Sequence, residues 1–546
     1  MRSNARQRKI RSDFSLGGEQ AEADWLLSEA FYETGLFRGI RSRDQKKCFL
    51  VGRTGSGKSA CLQMLEAQHP DHVIRISPED LSLPYITDLG AVKYLSALEV
   101  HLDPLFIALW KHVLITEIIK HRYHVDSQDA KQRIMSMLKE MVKRDRSKRA
   151  ALDYLEDFEG KFWVETDQRV REITTNFERQ INAEASIPTG VPDLALGFSA
   201  SSTKSQAERT ELRLRYQKIV NSTQLPRLNK MVSVLNDDIL DPQNFTYVVI
   251  DDLDRDWADE KISNDLIRCL FRAVNDLKQV QNLKILVALR TNIFESLDFG
   301  RTGGQEEKFR SLIARMTWTK SDLKELLDAR AVLAAKRHGV DGISGVDDLL
   351  PKTNDTRGSG VNYILNRTLM RPRDAIAFFN ECFPLANSKD RLTWAAIKSA
   401  ETSYSINRLL ALRDEWKPTF PGIDQVLRVF KGAANTLSPS EMCTRLDICA
   451  LLAVEKGFPG TVWMTPLSEP LWSGTSSDDW AVNYLPLIRL LHNIGFIGCI
   501  TTSGKYDEPA IFNHDQPAFT DLPSNLRKVT GFVIHPAFRP ALDIPG

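Results

Sequence analysis

The chain has 546 residues, with 72 Lys and Arg against 71 Asp and Glu, and a formal net charge of +1. At about 100–200 residues per domain this exceeds one compact unit and suggests about three. A composition of 42% hydrophobic and 26% charged residues is that of an ordinary globular protein, which excludes a polycation and an acidic disordered chain. The seven cysteines are scattered, without a CxxC pair or a His/Cys cluster. They argue against a disulfide framework or a zinc site and for a reducing, cytoplasmic setting. No stretch reaches the ~18 apolar residues that a membrane span needs, and the basic start has no apolar run behind it, so the expectation is no membrane role.

In chain order, residues 1–17 read as a flexible basic tail, and Gly18 to Arg41 as an amphipathic helix from the apolar spacing of Ala21, Trp25–Leu27, Ala30–Phe31 and Leu36–Phe37. Short apolar or β-branched runs predict strands at Cys48–Val51, His72–Ile76, Phe245–Ile250, Leu283–Leu289 and Ile313–Thr319. Helical segments separate most of them, the pattern of a parallel sheet covered on both faces. This α/β core spans 18–320, with a helical insertion at about 95–238. A helical lid follows at 321–417. The last segment, 418–546, has helices around Pro439–Lys456 and Trp480–Asn493 and then strands around a turn at Gly504-Lys505, which resembles a winged helix.

The chemistry concentrates after the first strand. Gly52-Arg53-Thr54-Gly55-Ser56-Gly57-Lys58-Ser59 has the spacing GxxxxGK[ST], with a helix-compatible run from Ala60. Glycines at these positions let the backbone wrap its N–H groups around phosphates, and the following helix turns its positive dipole end to the same anion. Lys58 then reaches the β- and γ-phosphates, and the Ser59 hydroxyl holds Mg²⁺.

The third strand ends in Asp251-Asp252-Leu253-Asp254-Arg255. Asp251 suits the carboxylate that holds the magnesium through water, and Asp252 the group that polarises the attacking water. In sheets of this class the fourth strand lies between the first and the third, so Arg290 at its end, or Asn292 beside it, is placed to sense the γ-phosphate. The alternative is a surface arginine beside a helix-capping Asn292. Thr302-Gly-Gly-Gln-Glu306 is similar to a signature loop of transport ATPases, but it follows the Asp251 strand instead of preceding it. Asn229-Lys-Met-Val lacks the Asp of a guanine-reading motif, so ATP is the expected nucleotide.

On Gly52–Ser59, the Asp251–Arg255 run, Arg290, the helix opening at Trp318–Arg330 and Arg371-Pro-Arg-Asp374, the chain resembles the KAP/STAND-like branch of AAA+-related P-loop ATPases associated with bacterial anti-phage defence. The fold expected is a P-loop NTPase parallel sheet of ASCE type. The resemblance implies an ATP- and Mg²⁺-dependent switch that forms homo-oligomers. It also implies a lid arginine on the nucleotide, for which Arg371 and Arg373 are the candidates, with a salt bridge to Asp374 as the competing role. Relatives of that branch often carry membrane helices between the two nucleotide motifs, and the insertion here is not of that kind. No nuclease, protease or deaminase constellation is present in the sequence, so a separate effector protein is expected. A nucleic-acid-handling ATPase of the loader or transposition-regulator type is the alternative. The helix Trp480–Asn493 carries few cations, and the basic tail is the stronger candidate for a nucleic-acid contact.

Overall fold

The computed structural model describes residues 9–77, 90–122, 206–222, 240–253, 260–297, 309–353, 358–386, 389–472, 477–503 and 509–545, with Thr175, Val232, Leu235, Tyr506 and Asp507. Most of the expected insertion, the first part of the tail, Asp254, Arg255, the Thr302–Glu306 run and Lys505 lie outside the described residues. The chain divides into two compact units. One contains Gly35–Gly52 and Cys61–Arg315, and the other Met1–Thr34, Arg53–Ala60 and Met316–Gly546.

The first unit is built on five parallel strands. They are β1 (Phe49–Gly52), β2 (Val73–Ile76), β3 (Thr246–Ile250), β4 (Leu283–Arg290) and β5 (Ile313–Arg315), in the order β2-β3-β4-β1-β5. β1 and β3 are buried along their whole length, which is why they read as unbroken apolar runs instead of alternating ones. β4 lies between β1 and β3, as the sequence predicts, and Gly52 pairs with Arg290 in register. Phe49 of β1 stacks on Phe271 at 3.6 Å between ring centroids, which seats the helix Glu260–Leu277 on the sheet. That helix is tied to the helix Asp103–Arg122 by two buried bonds from the Arg268 guanidinium to Asp103, 2.9 and 2.7 Å, and by the Trp110 indole N–H donating to Leu266 O at 2.8 Å. The apolar run from Leu105 is therefore core. Among the described residues no helix is long and apolar enough to cross a membrane.

The second unit groups the expected lid, the C-terminal segment and the N-terminal residues around one shared core, where the sequence predicts separate lid and C-terminal domains. The tail expected over 1–17 is packed from Ile10 onward. Ile10, Phe14 and Leu16 are buried, and Phe14 meets Phe383 edge-on at 4.8 Å. The single helix expected over Gly18–Arg41 is replaced by a short 3-10 turn at Ala21–Ala23 and a helix at Gly35–Arg41. Asp24 explains the break on the N-terminal side. Its Oδ1 accepts the amides of Gly18 and Leu26 at 2.9 and 3.2 Å, and its Oδ2 takes Arg330 at 2.5 Å, a local alternative to helix that Asp readily offers.

The lid helices are Lys320–His338, opened by a Thr319/Asp322 capping box, Gly360–Leu365, Pro372–Cys382 and Trp394–Trp416. At the C-terminal end β6 (Ile497–Ser503) pairs antiparallel with β7 (Tyr506–Asp507) and β8 (Val529–Ile534), and Leu437 bridges β8 on its other side. With the helices Pro439–Leu451, Thr461–Trp472 and Leu485–Asn493 between Leu437 and β6, the order of elements is similar to that of a winged helix. The helix expected over Trp480–Asn493 is two pieces, Trp480–Asn483 and Leu485–Asn493. Pro486 in the first turn of the second piece has no N–H to carry the ladder across. That second piece is packed inward through Leu487, Ile488, Leu490, Leu491 and His492, and Arg489 donates to the carbonyls of Thr520 and Asp521. It is a packing helix.

Candidate nucleotide site

In parallel sheets of this class, ligands bind at the carboxyl ends of the strands. Within the sheet unit that edge carries Gly52 at the end of β1, Arg290 at the end of β4 and Asp251 just after β3. Three sequence-predicted positions thus come from adjacent strands at one edge. Asp251 lies 4.0 Å from the Arg75 guanidinium, a long ion pair. Asp252 has φ +59°, a left-handed conformation outside a helix, and its amide meets Asp251 Oδ1 at 3.0 Å. Asp tolerates this region better than most residues, at a cost of about 1–3 kcal/mol. Arg290 is followed directly by the helix Thr291–Ser296 and is its N-cap residue, without a side-chain capping bond.

In the second unit, the glycine turn Arg53–Gly57 leads into the helix Lys58–Gln68. Gly55 and Gly57 take φ of +79° and +95°. A Cβ on Gly55 would sit 2.8 Å from the Cβ of Arg373, so both the conformation and the close approach require glycine there. The Lys58 ammonium donates to Arg53 O at 3.1 Å and so reaches back along the turn. The lid takes the carbonyls of this turn one after another. Arg371 Nη1 donates to Thr54 O at 2.9 Å, the Arg373 amide to Gly55 O at 3.4 Å, and the Trp318 indole to Ser56 O at 2.8 Å. In a trans peptide the N–H points opposite the C=O, so the amides of Gly55 and Gly57 face away from the lid. The result is a row of N–H groups at a helix N-terminus, the chemistry that a phosphate requires. The Thr54 and Ser56 hydroxyl oxygens are buried with no hydrogen-bond partner among the described residues. Orphaned donors beside such a cradle fit a phosphate ligand.

A buried charge cluster holds the turn from behind. Arg53 meets Glu415 at 3.1 Å, and the Thr54 amide donates to Glu415 Oε1 at 3.2 Å. Arg371 pairs with Glu415 at 3.2 Å and with Asp374 at 2.8 Å, and Arg408 meets Asp374 at 2.9 Å. Burial pushes the Asp374 carboxyl up, but the Arg371 and Arg408 guanidiniums outweigh it and hold the group at about 2. Burial likewise raises Glu415, and Arg53 and Arg371 bring it down to about 2. Burial disfavours the charge on Arg371, yet Asp374 and Glu415 raise its pKa above the usual arginine value.

The two candidate lid arginines are held differently. Arg371 is 6% exposed, and its bonds go to Asp374, Glu415 and the turn backbone. It positions the turn. Arg373 packs its stem on Gly55 and donates from Nε to Glu19 O at 2.9 Å. Its Nη atoms have no partner among the described residues. Sequence reasoning missed Glu415, Trp318 and Arg408. Their only signal is charge or ring type, and their partners lie from 34 positions away, for Arg408 and Asp374, to 362, for Glu415 and Arg53.

Residues 321–413 match the family model described as the FunZ-associated C-terminal helical domain. Over 507 residues, 88% of this chain, the protein is 24% identical to the putative transposon gamma-delta 80.3 kDa protein of Escherichia coli strain K12, and it spans 61% of that protein's length. Among solved structures, a Walker-type ATPase of Pyrococcus abyssi overlays with a TM-score of 0.34 at 10% identity, covering 91% of this chain and 96% of that one. The Orc1 protein of Aeropyrum pernix, solved in complex with DNA, overlays with a TM-score of 0.27 at 14% identity, with 90% of each chain covered. The strand order and the glycine turn give this chain an α/β P-loop NTPase fold.

Proposed function

We propose that the protein is a Mg²⁺-dependent ATPase that works as a nucleotide-driven switch. The observation that carries this is the glycine turn, with its carbonyls taken by the lid and its amides turned the other way at the start of a helix. In this reading Gly52 through Ala60 wrap the phosphates, Lys58 balances the β- and γ-phosphate charge, and Ser59 and Asp251 hold the metal. Bound magnesium supplies charge neutralisation on the phosphate oxygens. Asp252 accepts a proton from the attacking water, Arg290 reports on the γ-phosphate, and Arg373 is the lid arginine left for it, while Arg371 fixes the turn.

The finer reading is a KAP/STAND-like switch of anti-phage defence that assembles with further copies of itself and acts through a separate effector protein. It is supported by two connections, a buried charge network that the turn shares with the lid and a core that the lid shares with the winged helix, so that a ligand on the turn acts on the C-terminal segment as well. A second reading, a nucleic-acid-handling ATPase of the transposition-regulator type, is favoured by the relative named for a transposon. Turnover measured with and without DNA separates the two. The second reading requires stimulation that fades steeply with salt, and the first requires none.

Asp252→Asn tests the chemistry. Losing a positioned general base lowers turnover by about 10²–10⁴-fold, with ATP affinity retained. Phosphate release and equilibrium binding measure the two parts. Unchanged turnover would remove Asp252 from the chemical step.

A further inference from the structure

A cavity lies wholly within the lid and winged-helix unit. It encloses about 770 Å³, and its walls include Trp318, Lys320, Asn366, Phe512, His514 and His535. This volume falls in the range of small-molecule sites. Its walls combine flat rings with positive charge. Phe512 stacks on His514 at 5.6 Å, 8° between planes, and meets His535 at 4.6 Å and 67°. Lys320 and Arg539 supply cations. The acid in the wall, Asp515, is already engaged with the Phe512 amide at 3.1 Å and with His514 at 3.6 Å.

His535 carries the second observation. It is 1% exposed, and its Nδ1 accepts the Ala537 amide at 3.2 Å. The proton of the neutral ring is therefore on Nε2, and no acceptor meets that atom among the described residues. Burial pushes the His535 pKa well below the usual histidine value, so the ring stays neutral at physiological pH. An N–H donor on a ring that forms part of a cavity wall is available to a ligand atom. Met370, also in the wall, has φ +53°, an unfavourable conformation for a residue with a Cβ.

We propose that this cavity binds a nucleotide-class small molecule, a flat heteroaromatic ring carrying a phosphate, separate from the nucleotide on the glycine turn. The ring stacks among Trp318, Phe512 and His514, the His535 Nε2–H donates to a ring or sugar acceptor, and Lys320 and Arg539 meet the phosphate. The cavity is distinct from the phosphate cradle because Trp318 holds the turn by its Ser56 carbonyl, the side opposite the free amides. It is coupled to the cradle for the same reason. A ligand that moves the indole moves the turn, and each ligand then changes the other's affinity by the same factor.

The test uses adenosine 5′-monophosphate, which lacks the β- and γ-phosphates that Lys58 serves. By equilibrium dialysis, full-length Lys58→Ala is expected to bind one equivalent. Lys320→Glu should weaken this by about tenfold or more through charge reversal, and Asn366→Trp, which fills the cavity, should abolish it. Wild-type protein saturated with ATP should still take up the monophosphate. No binding, equal binding by both cavity variants, or mole-for-mole displacement by ATP would overturn the proposal, the last by assigning the monophosphate to the glycine turn. ATP binding measured in parallel on wild type and Lys58→Ala reads the turn itself, so failure of one site is not mistaken for failure of the other.

Discussion

Lys58→Ala is expected to lower ATP turnover by at least about 10²–10³-fold, the range seen when one preorganised charge-stabilising donor is removed from a reacting centre. The lysine opens the helix Lys58–Gln68, and its ammonium already lies along the turn through its bond to Arg53 O. Without it the amides and the helix dipole still attract an anion, but the point charge that follows the γ-phosphate through transfer is gone. The side chain is half-buried, so urea stability should change by no more than about 1 kcal/mol. Phosphate release with a matched unfolding curve checks both statements. Turnover within a few-fold of wild type would remove the glycine turn from the chemistry.

Asp374→Ala should be the most destabilising single change near the turn, by about 3–5 kcal/mol. Its carboxylate is fully buried between Arg371 and Arg408. Deleting it leaves two buried guanidiniums short of a counter-charge, the costly way to break such a cluster. The same carboxylate fixes the acid behaviour. Asp374 and Glu415 titrate at about 2 in the folded chain, against about 4 when unfolded. Below about pH 4 the unfolded state therefore takes up these protons first, and stability falls until pH 2. The difference in urea midpoint between wild type and Asp374→Asn should accordingly shrink over that interval. A difference that stays constant from pH 5 to pH 2 would show that the charge is not what the cluster uses.

Local pattern carried the sheet and the turn. Unbroken β-branched runs such as Thr246–Ile250 announce buried parallel strands because both faces are covered, and the glycine spacing at 52–57 announces a turn because few other residues accept those angles. The place of β4 between β1 and β3 was readable from class alone. What binds the turn to the lid was not. Arg53 finds Glu415, and Thr54 finds Arg371, across more than 300 positions, and an isolated Glu near the end of a long helix has no local mark of that partnership. Arg371 and Arg373 looked equivalent because both flank Pro372. Their different fates depend on Asp374 and Glu415 converging on one of them. Two errors were avoidable in physical terms. Pro486 lies inside the helix expected at Trp480–Asn493, and the apolar Ile10, Phe14 and Leu16 sit inside what the surrounding arginines suggested was a free tail.

The account stands on a metal-bound triphosphate gripped with the help of Ser59 and Asp251. The most direct test is the affinity for ATP with Mg²⁺ and with EDTA, compared between wild type, Ser59→Ala and Asp251→Asn. The account predicts that magnesium tightens wild-type binding by about tenfold or more and that both variants lose this gain while keeping their metal-free affinity. Equal affinity with and without magnesium in the wild type, or an undiminished gain in either variant, would contradict it.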